Sequence, residues 1–160
     1  MSTDRTEPAK HLAFINARLT HVRLASETAT SAPAPPSKAP QQVQLRTETS
    51  SGFTMGLDSP EKPSVLVIGI VYKVSLIIPD TENKVAEYEA KYEAQFSLIE
   101  WTGFDDWTNM PQSALSPYLA FIHNIASRKA EETLLEMGVK GVTLPQPEKF
   151  DGNESQVSAN

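Results

Sequence analysis

The sequence predicts an α+β domain in which four strand segments lead into one long helix, and three patterns carry that prediction. First, Ala86, Tyr88, Ala90, Tyr92, Ala94, Phe96 and Leu98 alternate without a miss against Glu87, Glu89, Lys91, Glu93, Gln95 and Ser97. Period two is the repeat of a strand, so this segment is a long half-buried strand with one apolar and one charged face. Ala, Glu and Lys favour helix, but a helix here would smear the tyrosines around its circumference, and the period outranks the propensity. Second, the apolar run Val65 to Ile78 ends in Pro79, Asp80, Thr81, Glu82 and Asn83, a turn that leads straight into that strand. The two segments therefore form an antiparallel hairpin. Third, Leu115, Tyr118, Leu119, Ile122, Ala126, Ala130, Thr133 and Met137 form a stripe at helical spacing.

The first strand candidate, His11 to Ser26, changes parity. Ile15, Ala17 and Leu19 sit at odd positions, but Val22 and Leu24 at even ones. An inserted β-bulge near Thr20 and His21 would do this, as would two short strands with a kink. Residues 27–42 carry Pro33, Pro35, Pro36 and Pro40 among Ala, Ser and Thr, which reads as a flexible connector, in part polyproline. Val43, Leu45 and Thr47 mark a short second strand. A loop from Ser50 to Pro63 then carries Phe53, Met55 and Leu57 two residues apart, beside Gly52 and Gly56. These three either bind something or pack over the sheet edge.

In the third strand Val65, Leu66, Val67 and Ile68 are apolar in succession, which predicts burial on both faces of that half. After the fourth strand, Trp101 to Ala114 reads as an aromatic loop with Trp101, Phe104, Trp107 and Met110. Ser116 and Pro117 read as N-cap and first residue of the helix, and Gly138 as its terminating glycine. Phe121, Ile125 and Leu135 lie off the main stripe. A helix with two apolar faces is expected to be held between its own sheet and a second subunit. The plan is one domain over residues 11–150, with a frayed arm at 1–10 and a polar tail at 151–160.

Composition narrows the class. The chain has 160 residues, a formal net charge of −6 and no cysteine. The negative balance argues against nucleic acid as a partner, and the missing cysteines exclude disulfide and thiolate chemistry. No apolar run is long enough to span a bilayer, so a cytoplasmic protein without direct membrane insertion is expected. Catalytic material is sparse. His11, His21 and His123 are far apart and show no metal-ligand spacing, and His123 suits the flank of the helix better than the role of a base. Asp105 and Asp106 suit a cap better than acid–base work. Glu87, Glu89 and Glu93 are the wet face of a sheet or an acidic docking surface. No enzyme, cofactor or metal is expected. Aromatic and Met-rich residues in loops suit tolerant binding of many apolar segments.

The order of elements is itself distinctive: a bulged first strand, a proline-containing connector, a short second strand, an apolar loop, a long hairpin, an aromatic loop and a long helix. With Tyr72–Ile78 against Ala86–Leu98, Ser116-Pro117-Tyr118 opening the helix, and Val142-Thr143-Leu144-Pro145-Gln146-Pro147 before Phe150, the chain resembles the SecB family of protein-export chaperones. That resemblance implies a four-stranded antiparallel sheet with the long helix packed on one face, assembled as a homotetramer, a dimer of dimers. It implies binding of unfolded preproteins or other non-native polypeptides, kept competent for translocation. By position, Phe53, Met55, Leu57, Trp101, Phe104, Trp107 and Met110 would wall the client groove. Glu87, Glu89 and Glu93 would face the SecA export motor, and Phe121, Ile125 and Leu135 the oligomer interface. Typical members carry a second helix after Phe150, where this sequence has ten polar-rich residues. A SecB-like general or toxin–antitoxin-associated chaperone, not coupled to export, therefore stays open. A small α+β enzyme or ligand-binding domain is the alternative from another class, and a purely structural oligomeric module the third.

Overall fold

The computed structural model describes residues 12–31, 45–79 and 81–145. The expected arm, tail and most of the proline-rich connector lie outside these residues. Four strands, β1 (Phe14–Ser31), β2 (Arg46–Leu57), β3 (Val65–Ile77) and β4 (Lys84–Thr102), precede a short 3-10 helix (Trp107–Asn109) and one long helix, α1 (Gln112–Glu136). The sheet order is β1-β4-β3-β2, and every neighbouring pair is antiparallel. The helix lies over β4, β3 and β1.

The alternation on β4 does what it predicts. Ala86, Tyr88, Ala90, Tyr92, Ala94 and Phe96 are buried on the helix side, opposite Leu66, Ile68, Ile70, Tyr72, Val74 and Leu76 of β3. Above them α1 lays down Leu119, Ile122, Ala126 and Ala130. The alanines let helix and sheet backbones approach, while the rings fill the space between. Each large side chain so buried contributes about 1.5–3 kcal/mol. Val65 and Val67 are only half-buried. The expectation that this half of β3 is covered on both faces is thus corrected: the helix covers one face, and alternation rules here as elsewhere.

Bulges set which side chains face the helix. Thr20 is skipped in the β1–β4 register, at the position the parity change predicts, and its hydroxyl donates to the Gln95 carbonyl at 2.8 Å. A second irregularity skips Ala25, so inward positions return to odd numbers and Glu27 faces the helix side. A third skips Ile99 on β4. Because β1 continues to Ser31, residues Glu27 to Ser31 are strand, paired with β4 from Ala90 to Ala86, and not connector.

Two further expectations are corrected. Phe53, Met55 and Leu57 lie in β2, paired with Ile70, Ile68 and Leu66, and not in a loop. Their spacing of two is the strand signal, and the neighbouring Gly52 and Gly56 obscure it. Gly52 and Gly56 point the other way, where an added Cβ would meet nothing within 4 Å, so an edge strand accommodates them. The helix starts at Gln112, and Pro117 is inside it. The Ala114 N–H closes the first turn onto the Pro111 carbonyl at 3.0 Å. Pro117 then removes one bond, to the carbonyl of exposed Ser113, which water can satisfy. Gly138 ends the helix as predicted, with φ of 87°. Its N–H and that of Val139 bond the carbonyls of Leu135 and Leu134, both at 2.9 Å. Beyond it the chain turns back to the core, where Leu144 is buried and its N–H donates to the Glu131 carboxylate at 2.8 Å.

Candidate functional site

Two apolar surfaces emerge on the helix side of the sheet. At the β1–β4 corner the skipped Ile99 reverses the facing of β4, so Trp101 turns inward opposite Ile15. Trp101 is therefore a strand residue and not part of a loop. Trp107 follows on the 3-10 helix, which Asp106 caps by accepting the Thr108 N–H at 2.9 Å. That is the capping role the Asp105–Asp106 pair suggested, and these bonds pull the Asp106 carboxyl below its usual range. The ring of Trp107 stands 5.3 Å from Trp101 and 5.0 Å from Phe104, edge to face in both cases. Trp101, Phe104 and Met110 are half-buried, but Trp107 is only 5% exposed. Trp107 thus forms the floor of the cluster and is not a presented anchor in this state.

The helix locks onto this corner through Tyr118. Its hydroxyl accepts the Ala17 N–H at 2.9 Å and donates to the Ile15 carbonyl at 2.7 Å, beside the irregularity where the ladder shifts. Its ring meets Phe96 edge-on at 5.0 Å. The helical stripe contained Tyr118, but nothing in the sequence announced the polar bridge.

The second surface is the row Phe53, Met55 and Leu57 on β2, half-buried at the opposite edge of the sheet. The two surfaces share a face, with β3 between the strand that carries Trp101 and the strand that carries the row, two spacings or roughly 10 Å across the sheet. The groove residues expected from the sequence fall into these two sets, one on β2 and one where β4 leads into α1. Behind Leu57, Asp58 ties the β2–β3 loop. It accepts the backbone N–H groups of Ser64 and Val65 at 2.9 Å as well as the Ser64 hydroxyl. The Ser64 hydroxyl above all, with these N–H groups, holds its pKa at about 2.

The outer face of the sheet is charged but not simply acidic. Glu93 pairs with Arg23, Glu87 with Lys84 and with Lys73 at 3.4 Å, and Glu89 reaches Lys73 at 3.9 Å. The Lys84 bond first, then Lys73, keep the Glu87 carboxyl below its usual range. Cross-strand register puts each carboxylate beside a base, which a one-strand reading of β4 could not show. A polar cleft bordered by Thr47, Glu48, Ser50 and Ser75 runs along the same region, and its two lysines are those that pair with Glu87.

On α1, Phe121 and Leu135 are 43% and 59% exposed, and Ile125 is half-buried. On the side of α1 that faces the sheet His123 is buried, and its ring stands 5.1 Å from Tyr72, edge to face. His123 is thus a core residue and not a flank one, and burial lowers its pKa. Burial, with Glu131 nearby, pushes the Tyr72 phenol up to about 12. No cluster of metal-ligating side chains occurs among the described residues, and no helix there is long and apolar enough to cross a membrane.

No protein-family model matches the sequence, and no curated protein matches it. Among solved structures, the chain is similar to the SecB-like chaperone Rv1957 of Mycobacterium tuberculosis, solved in complex with a ChAD peptide from the HigA1 antitoxin Rv1956. The TM-score is 0.60 at 17% identity, over 82% of this chain and 91% of that one. A protein of unknown function from Streptococcus agalactiae is also similar, with a TM-score of 0.40 at 14% identity, over 82% of this chain and 98% of that one. The first likeness shows the fold: a four-stranded antiparallel sheet with one long helix, as in SecB-like chaperones.

Proposed function

We propose that this protein is a non-enzymatic chaperone that holds non-native polypeptide in extended form on the helix side of its sheet. The observation that carries the reading is the edge strand β2, which pairs only with β3 among the described residues and carries Phe53, Met55 and Leu57 half-buried in a row. An extended segment laid along that edge gains main-chain hydrogen bonds from the strand and side-chain contacts from the row. Thioether and aromatic side chains adapt to many sequences, which suits a binder of varied clients. The fold it shares with a chaperone solved with a bound antitoxin peptide supports the same reading.

Self-association through α1 belongs to this proposal. Phe121, Ile125 and Leu135 give a self-complementary strip that a two-fold contact would cover, in a dimer or a tetramer. Coupling to the SecA motor through Glu87, Glu89 and Glu93 is the weaker part, because each carboxylate is already paired with Arg23, Lys73 or Lys84. That pairing favours a chaperone outside export, such as one that guards an antitoxin.

The test is suppression of aggregation of an unrelated unfolded protein, with peptide affinity measured in parallel. Phe53→Ser with Met55→Ser should weaken binding at least tenfold while circular dichroism stays native. A folded wild-type protein that neither suppresses aggregation nor binds peptide would overturn the proposal.

A further inference from the structure

The indole N–H of Trp107 is buried and has no hydrogen-bond acceptor among the described residues. Buried tryptophan ordinarily places this donor on a partner, because a donor removed from water and left unmet keeps its full desolvation cost. Here the orphan lies inside a built cluster. Trp101 is anchored in β4 and stands 5.3 Å away, Phe104 stands 5.0 Å away at 89°, and Trp107 itself is 5% exposed. One wall differs from the others. Phe104 lies in no helix or strand and directly follows Gly103, whose φ of 86° gives the chain a sharp corner. Of the three rings, Phe104 is the one carried outside a helix or strand.

We propose that the Trp107 N–H is the polar anchor of the polypeptide-binding surface, taking a main-chain carbonyl of the bound segment once an apolar side chain of that segment replaces Phe104. The inference rests on the chaperone reading above and adds to it the group that reads the client backbone. The charge around the site selects the acceptor. Asp105 and Asp106 directly precede Trp107 on exposed positions, so a carboxylate or phosphate approaching this corner meets like charge, whereas a neutral amide carbonyl does not. The indole nitrogen is a donor only, which excludes recognition of an N–H or ammonium at that atom. Every client residue supplies a carbonyl, so such an anchor is indifferent to sequence. A buried donor left unmet makes the closed cluster less stable than its packing alone would give.

The experiment uses the full chain labelled with nitrogen-15. Its two tryptophans give two indole N–H signals, assigned with Trp101→Phe. The probe is a neutral peptide of alternating leucine and serine. On titration the Trp107 indole proton should move downfield, as it does on forming a hydrogen bond. Trp107→Phe keeps most of the ring volume and removes the donor. It should raise the thermal midpoint of the empty protein and lower peptide affinity about tenfold, equal to about 1.4 kcal/mol. Peptide binding with an unmoved Trp107 signal would overturn this inference and leave the chaperone reading intact. Absence of peptide binding in the wild-type protein would overturn both. Should Trp107→Phe fail to fold, the wild-type titration decides alone.

Discussion

The two faces of β4 run side by side over the same residues and are stabilised in opposite ways. On the inner face Ala86 to Phe96 is sealed under the helix, and each side chain depends on the volume of its neighbours. On the outer face Glu87, Glu89 and Glu93 meet Lys73, Lys84 and Arg23 in water. A close-packed interior responds to the loss of a single methylene, while exposed ion pairs respond weakly to the loss of a whole charge. The inner face therefore holds the fold together, and the outer face is left free to change.

The sharpest break in that comparison is Ile122→Ala on the helix, fully buried against the inner face. It should cost about 2–5 kcal/mol in urea unfolding, since the transfer term and the cavity add. Tyr118→Phe comes next. It leaves the Ala17 N–H and Ile15 carbonyl without their bridge and should cost about 1–3 kcal/mol, with faster amide exchange at Ala17. His123 probes the same interface by pH. Its folded-state pKa lies below the ordinary 6.5 because burial disfavours the imidazolium. The unfolded chain then takes up the proton first, so the stability that neutral His123 contributes is complete above pH 6.5 and is lost as pH falls towards the lower value. His123→Phe should flatten this part of the stability profile. Arg23→Gln, on the outer face, should cost only about 0.2–1 kcal/mol and lose its effect in high salt, because both partners are largely exposed. An outer substitution that rivalled Ile122→Ala would mean that another molecule covers that face.

Where local pattern and burial coincide, the sequence was legible. The bulge at Thr20, the β3–β4 hairpin, the inner row of β4 and the Gly138 cap all follow from spacing. Legibility failed where one residue's role depended on a distant partner. Gly52 and Gly56 suggested a loop, yet the ladder to β3 made Arg46 to Leu57 a strand. Trp101 reads as a loop residue because no pattern in the sequence shows that Ile99 is skipped. The carboxylates of β4 read as a wet face or an acidic docking surface, and only the register sets Arg23 and Lys73 beside them.

Side-chain order along the chain is enough to dictate a period-two hairpin followed by one long amphipathic helix, because the identity of side chains alone decides which face of an element can leave water. Which strand lies at the edge, how far Phe53, Met55 and Leu57 stand from Trp101, and that the Trp107 N–H has no acceptor among the described residues follow from the packed fold alone. Those are relations between residues distant in the chain. They depend on register, and a shift of a single residue at Thr20, Ala25 or Ile99 turns every following side chain to the other face.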